Sequence, residues 1–109
     1  MKGYQQKEST LNKKAVNEIN KIHGCCVRKR PSGPWRKGHS DITGGVRIND
    51  VCILIELEGK IGTNKPTRLQ ARWIAKWKAM GAITGVYRSV EDAIKIVTDG
   101  IKQKRNKIT

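Results

Sequence analysis

Gly38-His39-Ser40-Asp41-Ile42-Thr43-Gly44-Gly45-Val46-Arg47-Ile48-Asn49-Asp50-Val51-Cys52-Ile53-Leu54-Ile55-Glu56-Leu57-Glu58-Gly59-Lys60 decides how this chain is read. Asp41 to Val46 and Val51 to Glu58 flank Arg47-Ile48-Asn49-Asp50, whose composition supplies turn chemistry, so the stretch predicts an antiparallel hairpin. The second run is apolar for five residues before it alternates, the pattern of a central strand buried on both faces. With a four-residue loop, Val46 pairs with Val51 and Asp41 faces Glu56 across the pair, about 5 Å away at Cα. Two like charges in that position are unfavourable unless a cation sits between them, and hard oxygen ligands suit Mg²⁺ or Mn²⁺. The strand period of two places Glu58 and, if the strand continues, Lys60 on the face of Glu56. A bulge at Gly44-Gly45 would shift the register by one and separate the pair. The plainer alternative makes Asp41 a turn residue and Glu56 and Glu58 the solvated face of an edge strand.

Outward from this stretch, Leu11, Ala15, Ile19 and Ile22 recur at helical spacing from Ser9 to Ile22, and Gly24 ends the helix. Cys25 to Arg30 reads as a short strand, followed by irregular Pro31-Ser32-Gly33-Pro34. Beyond Lys60, a loop to Pro66 precedes a helix over Thr67 to Met80, with Leu69, Trp73, Trp77 and Met80 on one side. Ala82 to Arg88 is another strand. Ser89 caps a third helix bearing Val90, Ala93, Ile94, Val97 and Ile101 on one stripe. The order α-β-β-β-α-β-α implies an α/β fold, a mixed sheet flanked by helices. The 109 residues are expected to form one domain, with 1–7 and 103–109 flexible.

The chain carries 23 Lys plus Arg against nine acids, a net charge of +14, and a polyanionic partner is the expected reason such self-repulsion is tolerated. Glu18 to Asp41 encloses six basic residues and no acid, and Gly59 to Val90 seven and none. Lys29, Arg30, Arg36 and Lys37 are therefore expected phosphate contacts, with Lys65 and Arg68 from the second segment. Trp35 either stacks on an unpaired base or anchors its loop. Trp73 and Trp77 read as core or dimer interface in preference to a base-stacking platform. No apolar run approaches a membrane span, and no signal peptide opens the chain, so a cytoplasmic protein without a membrane partner is expected. Cys25, Cys26 and Cys52 form neither an even framework nor a C-x-x-C pair and are expected as reduced thiols. A zinc site of Cys25, Cys26 and His23 is disfavoured because adjacent strand residues point to opposite faces.

At the acidic residues the chain resembles the PD-(D/E)xK nuclease superfamily, and in detail its VRR-NUC branch, the virus-type replication-repair nucleases. That pattern has a Glu opening the first helix, matched by Glu8, and Gly-x-Pro-Asp, matched by Gly38-His39-Ser40-Asp41. Its Glu-x-Lys strand is matched by Glu56-Leu57-Glu58, and its helix Gln by Gln70. Gly81 and Ser89-Val90-Glu91-Asp92 match the later signals. The resemblance spans about residues 7 to 100, and its strength lies in the order and spacing of motifs that are weak singly. Ser40 replaces a Pro, and Glu58 stands where the Lys is expected. Some superfamily members carry Glu-x-Glu there, and Lys60 is a candidate substitute for the missing cation.

The resemblance implies a restriction-endonuclease-like fold and a Mg²⁺- or Mn²⁺-dependent endonuclease acting on branched DNA, similar to homodimeric Holliday-junction resolvases and encoded by a virus or phage. Asp41, Glu56 and the Leu57 carbonyl would hold the metal, with Glu58 as further ligand or base. Glu8 reads either as a fourth site carboxylate or as a helix-start residue complementing the dipole. Gln70 reads as a site residue or a surface one, and His39 as a base or simply a polar loop residue. The competing function is a basic DNA- or RNA-binding module on the same fold, with Glu58 abolishing turnover.

Overall fold

The computed structural model describes residues 7–31 and 38–108. Three helices and four strands follow in the expected order: α1 (Glu8–Ile19), β1 (Cys25–Lys29), β2 (Ile42–Ile48), β3 (Val51–Gly59), α2 (Arg68–Ala79), β4 (Ile83–Tyr87) and α3 (Val90–Ile108). The strands lie in one sheet in the order β1-β2-β3-β4. The first three form an antiparallel meander, and α2 carries the chain over to a β4 that runs parallel to β3. α3 continues well beyond Ile101, the last residue of its apolar stripe, through a basic stretch.

Strand alternation sorts the sheet into two unlike faces. On one, Ile42 pairs with Leu57, and Ile55 and Leu57 lie beside Ile83 and Gly85 of β4. Gly85 approaches Ile96 of α3 closely, which identifies this side as the one that α1 and α3 cover. Ile42, Val46, Ile55, Leu57, Ile83 and Tyr87 are buried there with Leu11, Ala15 and Ile19 of α1 and Ala93, Val97 and Ile101 of α3. The other face carries Thr43, Glu56 and Glu58, and α2 lies over it. β3 is one of the two interior strands and is buried on both faces over Ile55–Gly59, as expected, but its second face there carries the acids Glu56 and Glu58.

The hairpin corrects the expected pairing. Ile48 pairs with Val51, so the turn is the two residues Asn49-Asp50, and partner numbers sum to 99. Glu56 lies opposite Thr43, not Asp41. A two-residue turn needs a left-handed residue to match the strand twist, and Asn49 supplies it at φ 56°. Asn tolerates that conformation and β-branched residues do not, so Asn49→Val should lower stability by about 1–2 kcal/mol, measured as an earlier urea midpoint with an unchanged slope.

Candidate metal centre

Continuing the β2–β3 register past Ile42 sets Asp41 beside Glu58, and the side chains agree. One carboxylate oxygen from each of Glu8, Asp41 and Glu58 lies within 4.8 Å of the others. Asp41 and Glu58 are almost fully buried, and Glu8 is half-buried. This is the one such group of acids, cysteines and histidines among the described residues. A set of three oxygen donors suits a hard divalent cation. The three cysteines and His23 are not members of it; Cys26, Cys52 and His23 are exposed, and burial pushes the Cys25 thiol up.

Each member is placed by a different device. Asp41 ends the segment leading into β2, and its Oδ2 accepts a 2.9 Å bond from the Gly59 amide. Glu58 is delivered by β3, and its Oε1 accepts a 3.2 Å bond from Gln70 Nε2. Gln70 is itself oriented, because its Oε1 takes the Thr67 amide at 2.8 Å while its own amide donates to Thr67 Oγ1 at 3.1 Å. That capping box fixes the start of α2 and turns the amide nitrogen toward Glu58. Glu8 comes from the first turn of α1, where the positive end of the helix dipole favours an acid. One turn on, Asn12 is buried and accepts a hydrogen bond from the Tyr87 hydroxyl. Both groups lie directly over Gly59, where an added Cβ would be 2.9 Å from the Tyr87 oxygen and closer still to Asn12. The bare α-carbon at Gly59 thus lets α1 approach β3 near enough for Glu8 to reach Asp41 and Glu58.

Glu56 stands outside this group. Its Oε1 accepts bonds from the Arg30 guanidinium and the Ser40 hydroxyl, each at 2.9 Å, and its Oε2 accepts from the Thr43 hydroxyl. The Arg30 Nε also donates to the Ser40 carbonyl at 3.1 Å, and the Arg30 amide to the Asp41 carbonyl at 2.7 Å. Glu56 and Arg30 therefore clamp the residues on both sides of Asp41, and Arg30 is committed to this network. Lys29, Lys65 and Arg68 are exposed, and Lys60 is half-buried. Trp35, Arg36 and Lys37 lie outside the described residues. His39 sits on Trp73, ring centres 5.5 Å apart, where it anchors the loop to α2.

Sequence reasoning missed Asn12, Thr67 and Tyr87. Asn12 was findable, since it falls four residues after Glu8 and so shares its helix face; Tyr87 acts only through the fold. Ser40, which replaces a Pro of the family pattern, supplies the hydroxyl that Glu56 holds.

Two stability effects of opposite sign follow. Glu56→Ala leaves Arg30 and two hydroxyls without their acceptor, and with Arg30 partly exposed the loss should be about 2 kcal/mol. Glu58→Gln removes one of three crowded carboxylates and should raise the melting temperature in EDTA. In a separate test, Gly59→Ala should force α1 outward, lower stability by about 1–3 kcal/mol, and weaken Mn²⁺ binding measured by calorimetry.

No protein-family model matches the sequence, and no curated protein does. Among solved structures, the chain is similar to one described as a VRR_NUC domain, at 24% identity and a TM-score of 0.65, over 84% of this chain and 94% of that one. The chain therefore has the fold of a VRR_NUC domain, a restriction-endonuclease-like arrangement of one mixed sheet and three helices.

Proposed function

We propose that the chain is a divalent-metal-dependent nuclease hydrolysing phosphodiester bonds of DNA, with Glu8, Asp41 and Glu58 as its metal ligands. The observation that carries this reading is the convergence of those three carboxylates within 4.8 Å in a chain of net charge +14. Acids gathered where the surrounding charge is positive suit a cation and a phosphate together. Bound there, Mg²⁺ or Mn²⁺ supplies Lewis-acid polarisation of the phosphoryl oxygen and lowers the pKa of water.

The chain's own residues do the rest. In this reading the Glu-x-Lys motif is Glu58-Gly59-Lys60, two residues later than Glu56-Leu57-Glu58. Glu58 is then a ligand, Gly59 takes the place of Leu57 between the motif's charged residues, and Lys60 is the motif lysine. The Lys60 amide donates to the Tyr87 carbonyl at 3.0 Å, so the extended path runs one residue past β3. Alternation then sets the Lys60 side chain on the face of Glu58. Its ammonium neutralises charge developing on the phosphate. With Lys60 in the motif lysine's place, this reading carries no reason to expect impaired turnover. Gln70 holds Glu58 in orientation, while Glu56 acts on Asp41 by holding its flanking backbone.

Lys29, Lys65 and Arg68 are suitable phosphate contacts, as are Arg36 and Lys37 by composition, with Trp35 beside them. The substrate we favour is branched DNA of the Holliday-junction kind. Symmetric cutting of two opposed strands requires two sites related by a two-fold, hence a homodimer. A cytoplasmic setting and a viral or phage source belong to the same proposal.

The test is incubation of labelled four-way junction and duplex DNA with Mg²⁺, Mn²⁺ or EDTA. Asp41→Asn, Glu58→Gln and Lys60→Ala should each slow cutting about 100-fold or more, whereas Glu56→Gln should cost much less once assayed below its melting temperature. Equal losses at Glu56 and Glu58 would overturn the motif assignment. Salt-sensitive binding with no cutting in either metal would leave a binding module instead.

A further inference from the structure

α2 is an odd helix for so small a protein, because none of its residues is buried. Only Gln70, Trp73, Ile74 and Trp77 are half-buried, and they form the stripe that faces the sheet. Leu69 stays 39% exposed. Two of its contacts lie on the side of the metal centre: Gln70 donates to Glu58, and Trp73 packs under His39 of the segment leading to Asp41. Gly38, in the left-handed conformation at φ 80°, lies against Leu69 and Trp73, so the loop leading to Asp41 crosses this flank.

The outer side of α2 is cationic. Arg68, Arg72 and Lys76 recur every four residues and are exposed. Such a row rises about 6 Å per step and drifts slowly around the helix, here toward Leu69 and Trp73. Lys76 lies over the Trp73 ring at 5.1 Å, which restrains its ammonium at the end of the row. None of the three has an ion-pair partner among the described residues, and neither the core nor the metal centre uses Arg72 or Lys76. Three cations spanning about 12 Å match consecutive phosphates along a nucleic-acid strand better than any compact anion.

We infer that the Arg68-Arg72-Lys76 row of α2 is a backbone track for one strand of the DNA substrate, guiding it past the metal centre that Gln70 ties to the same helix. This rests on the nuclease reading for its substrate, and Arg72 and Lys76 are its new residues. The track is independent of sequence, since phosphate contacts position a strand and do not read bases.

The test measures binding of a labelled DNA duplex against NaCl concentration in an Asp41→Asn background, so that cutting does not interfere. Adding Arg72→Gln with Lys76→Gln should flatten the slope of log affinity against log salt by about 1.8, near 0.9 per lost phosphate contact. Affinity at low salt should fall about 10-fold or more. Adding Lys102→Gln with Lys107→Gln removes the same charge from exposed positions on α3 and should leave the slope of the Asp41→Asn background unchanged. Equal slopes for the two double variants would overturn the track while leaving the nuclease reading intact. Altered sedimentation of the α2 variant with an unchanged slope would overturn it in favour of a second copy of the chain on that face. Absence of DNA binding by the Asp41→Asn protein and by the unmutated chain would remove the nuclease reading and the track with it.

Discussion

Holding three carboxylates within 4.8 Å of one another costs electrostatic energy that the rest of the fold must offset. Two arrangements do this from opposite sides. The apolar side brings in α1, through the meeting of Asn12, Tyr87 and Gly59, and so sets how near Glu8 can come. The polar side fixes Asp41 through the Arg30–Glu56 pair and the hydroxyls of Ser40 and Thr43. Each depends on β3, which carries Glu56, Glu58 and Gly59 within one short run. The strand is both the middle of the core and the floor of the site.

The two acids of β3 show how environment divides the work of identical side chains. Glu56 and Glu58 share a face, are 2% and 1% exposed, and differ by one strand repeat. Glu56 meets a guanidinium and two hydroxyls, which satisfy its lone pairs and make it a structural anion. Glu58 meets an amide and two further acids, an environment that favours a cation. Interchanging their neighbours would interchange their roles.

Element order and sheet type were legible in the sequence, and Asp41, Glu58, Glu8 and Gln70, which the structure brings together, were all among the residues it offered as candidates. The pairing was not legible, and the reason is geometric. A turn of two residues in place of four moves the register by two, and a shift of two leaves every side chain on its original face. Alternation therefore reads the same for either pairing. The deciding fact is the left-handed conformation at Asn49, whose side chain permits the tight turn without requiring it. The anticipated danger, a bulge at Gly44-Gly45, would have flipped the faces; the pairing runs through both glycines without interruption. The depth of burial of Asp41 and the Arg30 clamp were likewise hidden, since they join residues brought together only by the meander.

The attachment of α2 separates two kinds of change the protein can accept. Most of the residues that stabilise the chain lie under α1 and α3, whereas the outer face of α2 touches nothing in the core. Substitutions there act on what the helix meets in solution, with small effects on folding. Such a helix can be rewritten residue by residue while the carboxylates behind it stay fixed, so what the chain meets at that face can change without disturbing the acidic cluster.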